Sequence, residues 1–453
     1  MCPSRRWVSI SGRRNLTHRI TNHRVCGNVR EKRTGVLTNE PDVLVIGGGV
    51  IGVCTAYYAV KAGRRVTLVE RGEICSGCSW GNAGWIVPSH CIPLAAPGAL
   101  RKALKWMWSS RSPFSIRPRL DWGLIGWLMV FAASCNENKV RASIPVLRDL
   151  TVASADLYRD LYSLEGMSGG YHEDGSLMLF ASKGGLAEGR RDAEMLREAG
   201  IRSQEWEADE ILQREPSIVA GMAGGIFYPD DAHLSPAAFV ECLARTCERQ
   251  GVAIMRSTDV TGFNLEKGVI SGVHTTQGEF RPGSVVLAAG CESSTLARNL
   301  GINLPIQAGK GYSFSVPSSI ICPTRPLLLS EAKVAVTPFG ERVRFAGTLE
   351  LSGLDYSINE KRLNAIRDSS SEYFVQKLPL SVEERWSGLR PCTPDGLPLI
   401  SSLPGVQNLI VASGHAMLGI SLGPITGKLT AQLACRDRPD IDLSSLSVSR
   451  FLS

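Results

Sequence analysis

The chain has 453 residues, 43% apolar and 21% charged, close to globular averages. That length predicts two or three domains, and the composition excludes a disordered or collagen-like chain. The net charge of +7 sits wholly in residues 1–40, which hold nine Lys or Arg against Glu31 and Glu40; the rest of the chain sums to zero and gives no electrostatic case for a nucleic-acid partner.

Residues 1–40 are Arg-rich and acid-poor, the composition of a transit peptide. The plainer reading, a basic extension with no structure of its own, is preferred, and the tail is left out of the fold. From Asp42 the pattern is strand, glycine turn, helix, strand. Val43–Ile46 is a short apolar run, Gly47 to Gly49 break it, Ile51–Ala62 suits a helix that Gly63 ends, and Val66–Val69 is a second buried strand closed by Glu70. Trp106–Cys135 carries four of the nine tryptophans. Its uncharged part, Trp122–Cys135, is too short to cross a bilayer and predicts a buried helix, with an amphipathic helix at a membrane interface as the alternative.

Val140–Glu165 is helical in pattern with a break expected at Pro145, and Leu186–Ala199 is another helix. Ser235-Pro236 reads as N-cap and first helical position. Short strands are expected at Val252–Arg256, Val260–Leu265, Val269–Thr276, Glu279–Phe280 and Val285–Ala288. Tyr312–Val316, Val334–Thr337 and Val343–Leu349 alternate as in an antiparallel sheet. Leu409–Ala412 is the last apolar strand, followed by a glycine turn and a helix from about Pro424 to Cys435.

Gly47-x-Gly49-x-x-Gly52, with Val50 and Ile51 between its last glycines, follows a strand and opens a helix. In such a dinucleotide fingerprint the first glycine makes the turn, the second lets a pyrophosphate approach, and the third lets helix and strand pack closely. The phosphates meet the positive end of the helix dipole, and Glu70 can accept hydrogen bonds from ribose hydroxyls. An acid here disfavours a ribose 2′-phosphate, which leaves FAD or NAD. The thirteen cysteines are scattered and form no disulfide framework. Cys75 and Cys78 make the sole C-x-x-C, with no further pair at zinc spacing; reduced thiols are the reading and no metal is expected.

Further motifs carry a family resemblance. Glu70-Arg71, Cys75-Ser76-Gly77 to Ser79, and Gly81-Asn82-Ala83-Gly84 resemble the flavin-contact loop of the D-amino-acid oxidase superfamily. Asn82 to Ser89 and Ala95-Ala96-Pro97-Gly98 are similar to its FAD-carrying D-amino-acid dehydrogenase small subunits and hydroxyproline and D-proline dehydrogenases. Val285 to Ala289-Gly290 is similar to the second flavin-domain motif. Gly388-Leu389-Arg390-Pro391 with Thr393-Pro394-Asp395-Gly396-Leu397-Pro398 resembles a G-x-R-P-x-T-P-D-x-x-P signature, and Gly414-His415 through Gly419-Ile420 and Gly427 resembles the turn and helix facing the isoalloxazine. The resemblance spans about residues 42–445. Two cysteines, Cys75 and Cys78, stand where the family has small residues and hydroxyls.

The resemblance implies an α/β fold: a Rossmann-like FAD domain from 41–98, 233–303 and 391–450, interleaved with a mixed or antiparallel-sheet substrate domain from 99–232 and 304–390. It implies non-covalent FAD held by the fingerprint, Glu70, Arg71, Ser79, Asn82, Ala83, Gly84, Val260 against the adenine, Ala289, Gly290, Gly414, Gly419 and Ile420. Arg390 would bind a substrate carboxylate through a guanidinium fork, Tyr312 would donate a second bond to it, and His415 would touch the flavin. His90 and His233 are weaker candidates. The implied activity is oxidation of a small D-amino or cyclic imino acid, with a glycine/sarcosine-type amine oxidase as the alternative. The electron acceptor (quinone, partner protein or oxygen) and peripheral membrane contact stay open.

Overall fold

A computed structural model of the chain describes residues 39–96, 114–117, 119 and 121–451. Residues 1–38, Trp106 and Trp108 lie outside them. The organising element is a six-stranded sheet in the order Leu399–Leu403, Val406–Ser413, Ser284–Leu287, Val43–Ile46, Val66–Val69 and Ala253–Met255. All neighbours run parallel except the first two, which form a hairpin. Strands such as VLVI and VTLV are buried on both faces, as parallel strands covered on both sides must be.

Alternation assigns those faces. Val43 and Val45 pack with the helices Val50–Lys61 and Pro236–Arg249. Leu44 and Ile46 pack with Val260, Ile270, Val273 and Phe280 of a small antiparallel sheet, 260–280. The C-terminal helix Gly423–Cys435 lies against the helix that opens at the fingerprint so closely that a Cβ on Gly427 would stand 2.4 Å from that of Cys54.

A larger mixed sheet of nine strands runs from Glu383–Cys392 through Gln307–Pro317, Arg342–Leu351 and Val334–Phe339 to Leu327–Leu329, Ser176–Phe180, Gly224–Tyr228 and Gln204–Trp206; Phe114–Ile116 pairs off this path with Arg342–Leu351. Its own core joins Phe314, Phe345 and Phe374 with Leu363 and Ile366 of the helix Glu360–Ser371.

Three expectations change. The helix Glu137–Tyr162 runs through Pro145 unbroken. Pro145 lies on the exposed face, where water can serve the carbonyl that loses its amide partner. Ser235 occupies the N-cap, but its side chain makes no capping bond; Pro236 at the first position presets the turn instead. The helix Trp122–Ser134 is only half buried. Leu124, Trp127 and Phe131 face the protein, while Trp122 is 87% and Met129 64% exposed. Among the described residues no helix is long and apolar enough to cross a membrane.

Candidate functional site: a dinucleotide cavity beside a partly buried arginine

The parallel sheet ends in a cavity of about 590 Å³, within the ordinary range for a bound cofactor. Gly47, Gly49, Val50, Ile51, Glu70 and Arg71 line it at the first two strand ends. Val260, Ala289 and Gly290 line it at the next segments, Ser79 and Asn82 on the long loop, and His415, Gly419 and Ile420 on the C-terminal turn.

The fingerprint glycines have separate causes. Gly47 has φ +113°, and a Cβ there would lie 2.6 Å from the Ala288 carbonyl oxygen. A Cβ on Gly52 would lie 1.8 Å from the Gly47 oxygen. Gly52 therefore packs behind the turn and stays out of the lining, whereas Gly49 is at the cavity surface. The helix it opens has no capping side chain and no acid in its first turn. Its first amides thus face the cavity, save that Val50 N–H donates to Ser79 Oγ at 3.1 Å. Unfilled donors at a positive helix end fit a pyrophosphate. Glu70 accepts from the N–H of Gly48 (2.6 Å) and of Gly72 (2.9 Å). These bonds fix the carboxylate at the strand end, where its remaining lone pairs can meet ribose hydroxyls.

Ala83, Gly84 and Gly414 support the lining from outside it. The Ala83 carbonyl accepts from Thr337 Oγ1 at 2.8 Å. Gly84 has φ +74°, and a Cβ there would sit 2.1 Å from the Leu234 oxygen. Gly414 has φ +81° and leaves no room for a Cβ beside Thr393. His415 is buried, with Nε2 3.0 Å from Thr426 Oγ1. Burial pushes its pKa down to about 3, so the ring is neutral at physiological pH. The weaker candidates lie elsewhere: His90 contacts Ser89 Oγ, and His233 stacks on His172.

Arg390 lies beside this cavity on the strand Glu383–Cys392. Its neighbours Leu389 and Pro391 are in the lining, and Ala416 N–H donates to the Pro391 oxygen at 2.8 Å, tying the C-terminal turn to this strand. The guanidinium lies over Gly311, where a Cβ would come within 2.3–2.4 Å of it. Nη1 donates to the Thr348 oxygen at 2.6 Å. Thr348 has φ +65° beside an irregularity in strand register, a conformation a β-branched residue rarely adopts; the bulge re-aims its carbonyl. Among the described residues no carboxylate is within ion-pair distance of Arg390. Burial pulls its pKa below the usual arginine value. A desolvated guanidinium with unused donors is a site for an anion.

Tyr312 is not brought to this site. It is outside the cavity lining and buried in the large sheet. There its hydroxyl donates to Glu350 Oε2 at 2.8 Å and its ring joins the core of the large sheet. The expected second bond to a carboxylate has no support in this geometry.

Other residues at the site carried no local signal. Thr258, Cys291 and Tyr356 line the cavity. The Tyr356 hydroxyl accepts from Arg71 Nη2 (3.1 Å) and donates to Glu292 Oε1 (3.1 Å), joining three distant segments. The indole of Trp386 packs over Gly81 and Gly388, where a Cβ would stand 2.1 and 2.0 Å from it. Gly388, a glycine inside a strand, was the one available hint of a close approach.

A parallel sheet, an uncapped glycine turn at its end and an acid closing the second strand define a dinucleotide-binding oxidoreductase. The chain belongs to the FAD-dependent oxidoreductase family, whose match covers residues 42–433, and its cofactor is FAD. A pyridine nucleotide-disulphide oxidoreductase match covers residues 4–79. The chain is 33% identical over 418 residues to a D-amino acid dehydrogenase of Vibrio atlanticus, covering 91% of this chain and 100% of that one. It is 34% identical over 418 residues to one of Methylobacterium nodulans, covering 90% and 99%. Glycine oxidase from Geobacillus kaustophilus has the same fold, with a TM-score of 0.73 at 23% identity over 91% of this chain and 99% of that one. L-proline dehydrogenase from P. horikoshii gives 0.71 at 18% identity over 92% and 99%.

Proposed function

We propose that the chain oxidises small D-amino acids or cyclic imino acids of the D-proline and hydroxyproline type, with Arg390 holding the substrate carboxylate. The observation that carries this reading is the partly buried guanidinium over Gly311, anchored by one carbonyl and, among the described residues, facing no carboxylate. The D-amino acid dehydrogenase relatives support the substrate class. FAD, when bound, supplies the two-electron acceptor. The residues of this chain bind and orient: the fork of Arg390 fixes the acid, and the walls formed by Leu389, Pro391 and Ile420 limit water. The substrate loses its Cα hydrogen as hydride and a proton from nitrogen, giving an imine; water hydrolyses an open-chain imine to the 2-oxo acid and ammonia. Neutral His415 takes no part as a proton donor. FAD is held non-covalently in this reading; Cys392, two residues beyond Arg390, is buried and outside the lining.

Removing one member of a buried charge pair typically costs about 2–5 kcal/mol. Arg390→Ala should therefore lower flavin reduction at limiting amino acid by about 30-fold to several thousand-fold, with FAD content unchanged. Arg390→Lys should recover part of it. An amine without a carboxylate should be a poor substrate that the mutation barely affects. Equal losses for acid and amine would make Arg390 structural and refute the assignment.

The half-exposed helix Trp122–Ser134 favours a second reading of the electron acceptor. Its outward face presents Trp122, Ile125, Met129 and Val130, and residues 99–120 contain six Lys or Arg and no acid. That combination suits an anionic bilayer and a membrane quinone. Co-flotation with anionic but not zwitterionic vesicles is the expected result; no flotation removes this reading.

A further inference from the structure

Arg344 carries a buried guanidinium, and the proposed chemistry makes no use of it. It lies on the strand Arg342–Leu351, 8% exposed, with its Cζ 5.1 Å from the Trp80 ring and 5.2 Å from the Phe339 ring. Desolvation pulls its pKa below the usual arginine value, and among the described residues no carboxylate pairs with it. A charge in such a place is tolerated only when its donors are used. Here they go to one loop. Nη1 donates to the Trp80 oxygen at 2.8 Å and to the Asn82 oxygen at 3.0 Å.

Thr337 sits opposite Arg344 in the neighbouring strand, so both side chains share a face of the sheet. Its hydroxyl donates to the Ala83 oxygen at 2.8 Å and accepts from Trp85 Nε1 at 2.7 Å. Two side chains of the large sheet thus hold the carbonyls of residues 80, 82 and 83. In a trans peptide the carbonyl of one residue and the N–H of the next point in opposite directions, and no peptide bond among the described residues is cis. The N–H groups of Gly81, Ala83 and Gly84 are therefore turned away from the sheet, in the loop whose Ser79 and Asn82 line the cavity. That of Gly84 donates to Asn82 Oδ1 at 2.8 Å, which leaves Gly81 and Ala83 as the outward donors.

We propose that Arg344 and Thr337 are positioning residues: by gripping the carbonyls of the 80–83 loop, they aim the amides of Gly81 and Ala83 at the nitrogen and oxygen acceptors of the FAD ring. This rests on the reading of that loop as the flavin contact and is independent of which amino acid is oxidised. The large sheet then sets how tightly FAD is held and how readily it accepts electrons, because donors fixed against ring acceptors stabilise the electron-rich reduced ring most.

The test uses the full-length holoenzyme without substrate. Arg344→Met keeps an unbranched apolar chain between the two rings and deletes both donors. Thr337→Val keeps the volume and deletes one. FAD dissociation constants and flavin midpoint potentials are measured for both. Two charge-assisted bonds predict about 10- to 100-fold weaker FAD binding for Arg344→Met and a more negative midpoint potential. Thr337→Val should shift both in the same direction by less, and Arg344→Lys should fall between Arg344→Met and wild type. Should Arg344→Met fail to fold, the near-isosteric Thr337→Val decides. Wild-type affinity and potential in the folded variants, or a lowered melting temperature with both unchanged, would overturn the proposal. A wild-type chain that takes up no FAD at all would instead refute the flavin reading beneath it.

Discussion

At the residue scale, the arginine of the proposed site depends on an absent side chain. Gly311 is an unstrained strand glycine whose missing Cβ provides the floor beneath the Arg390 guanidinium. The atoms a new Cβ would meet are the far end of a flexible side chain, so Gly311→Ala should fold normally and displace the guanidinium instead. We expect FAD content and melting temperature near wild type, with KM for the acid raised at least tenfold; an unchanged KM would show that the fork tolerates the shift. A separate buried group reports on pH. Asp231 accepts from Ser89 N–H (3.1 Å), Ser89 Oγ (2.6 Å) and Ser176 Oγ (2.6 Å). Burial outweighs these bonds and raises its pKa to about 7. A carboxyl with a raised folded pKa contributes stability below its ordinary value of 3.8, and that contribution is lost as pH rises toward 7. His90, His233 and His415, pushed down to between about 3 and 4 by burial, act in the opposite sense by destabilising the fold in acid. The difference between chains isolates the aspartate. The stability of Asp231→Asn relative to wild type should improve from pH 4.5 to pH 7.5 in urea titrations, and a pH-independent difference would contradict the assignment. The fingerprint was legible in the glycine spacing, and Arg390 was singled out through a family motif, because both lie in contiguous segments. Tyr312 was not placed correctly because its partner Glu350 lies on another strand, a contact that sheet packing decides and local sequence does not.

At the element scale, short apolar runs were enough to identify the parallel strands, since a strand buried on both faces leaves no other composition open. The glycine spacing showed where the fingerprint helix begins, and close packing at Gly47 and Gly52 explains why those positions exclude side chains. Pro145 misled in the other direction: the break it predicts is avoided because its face of the helix meets solvent. Tyr356 was invisible, lying in a loop with no motif of its own. That loop is fastened to the large sheet by Asp355, which accepts from the buried amine of Lys310 at 3.0 Å, and from there Tyr356 reaches Arg71 and Glu292 across the cavity mouth. Tyr356→Phe keeps the ring and removes two partly exposed hydrogen bonds, each contributing on the order of 1 kcal/mol. FAD release should quicken about 3- to 10-fold, measured by recovery of flavin fluorescence on dilution. An unchanged release rate would show that the loop is an ornament of the mouth and no clasp.

At the scale of the whole molecule, two sheets divide the work. The parallel sheet and its fingerprint helix line the cavity proposed for the phosphates and ribose, while the large sheet carries Arg390, the proposed carboxylate ligand, and grips the 80–83 loop. The chain's membership in the FAD-dependent oxidoreductase family agrees with the first sheet; the partly buried guanidinium on the second carries the proposal that the reductant is an amino or imino acid. The direct test is anaerobic reduction of the purified holoenzyme, followed as loss of the flavin absorbance, with a panel of D- and L-amino acids, D-proline, hydroxyproline isomers, glycine and sarcosine. We predict rapid, stoichiometric bleaching by at least one D-amino or cyclic imino acid and little or none by its decarboxylated amine. A flavin that stays oxidised with every acid, or bleaches as fast with amines that lack the carboxylate, would contradict the account.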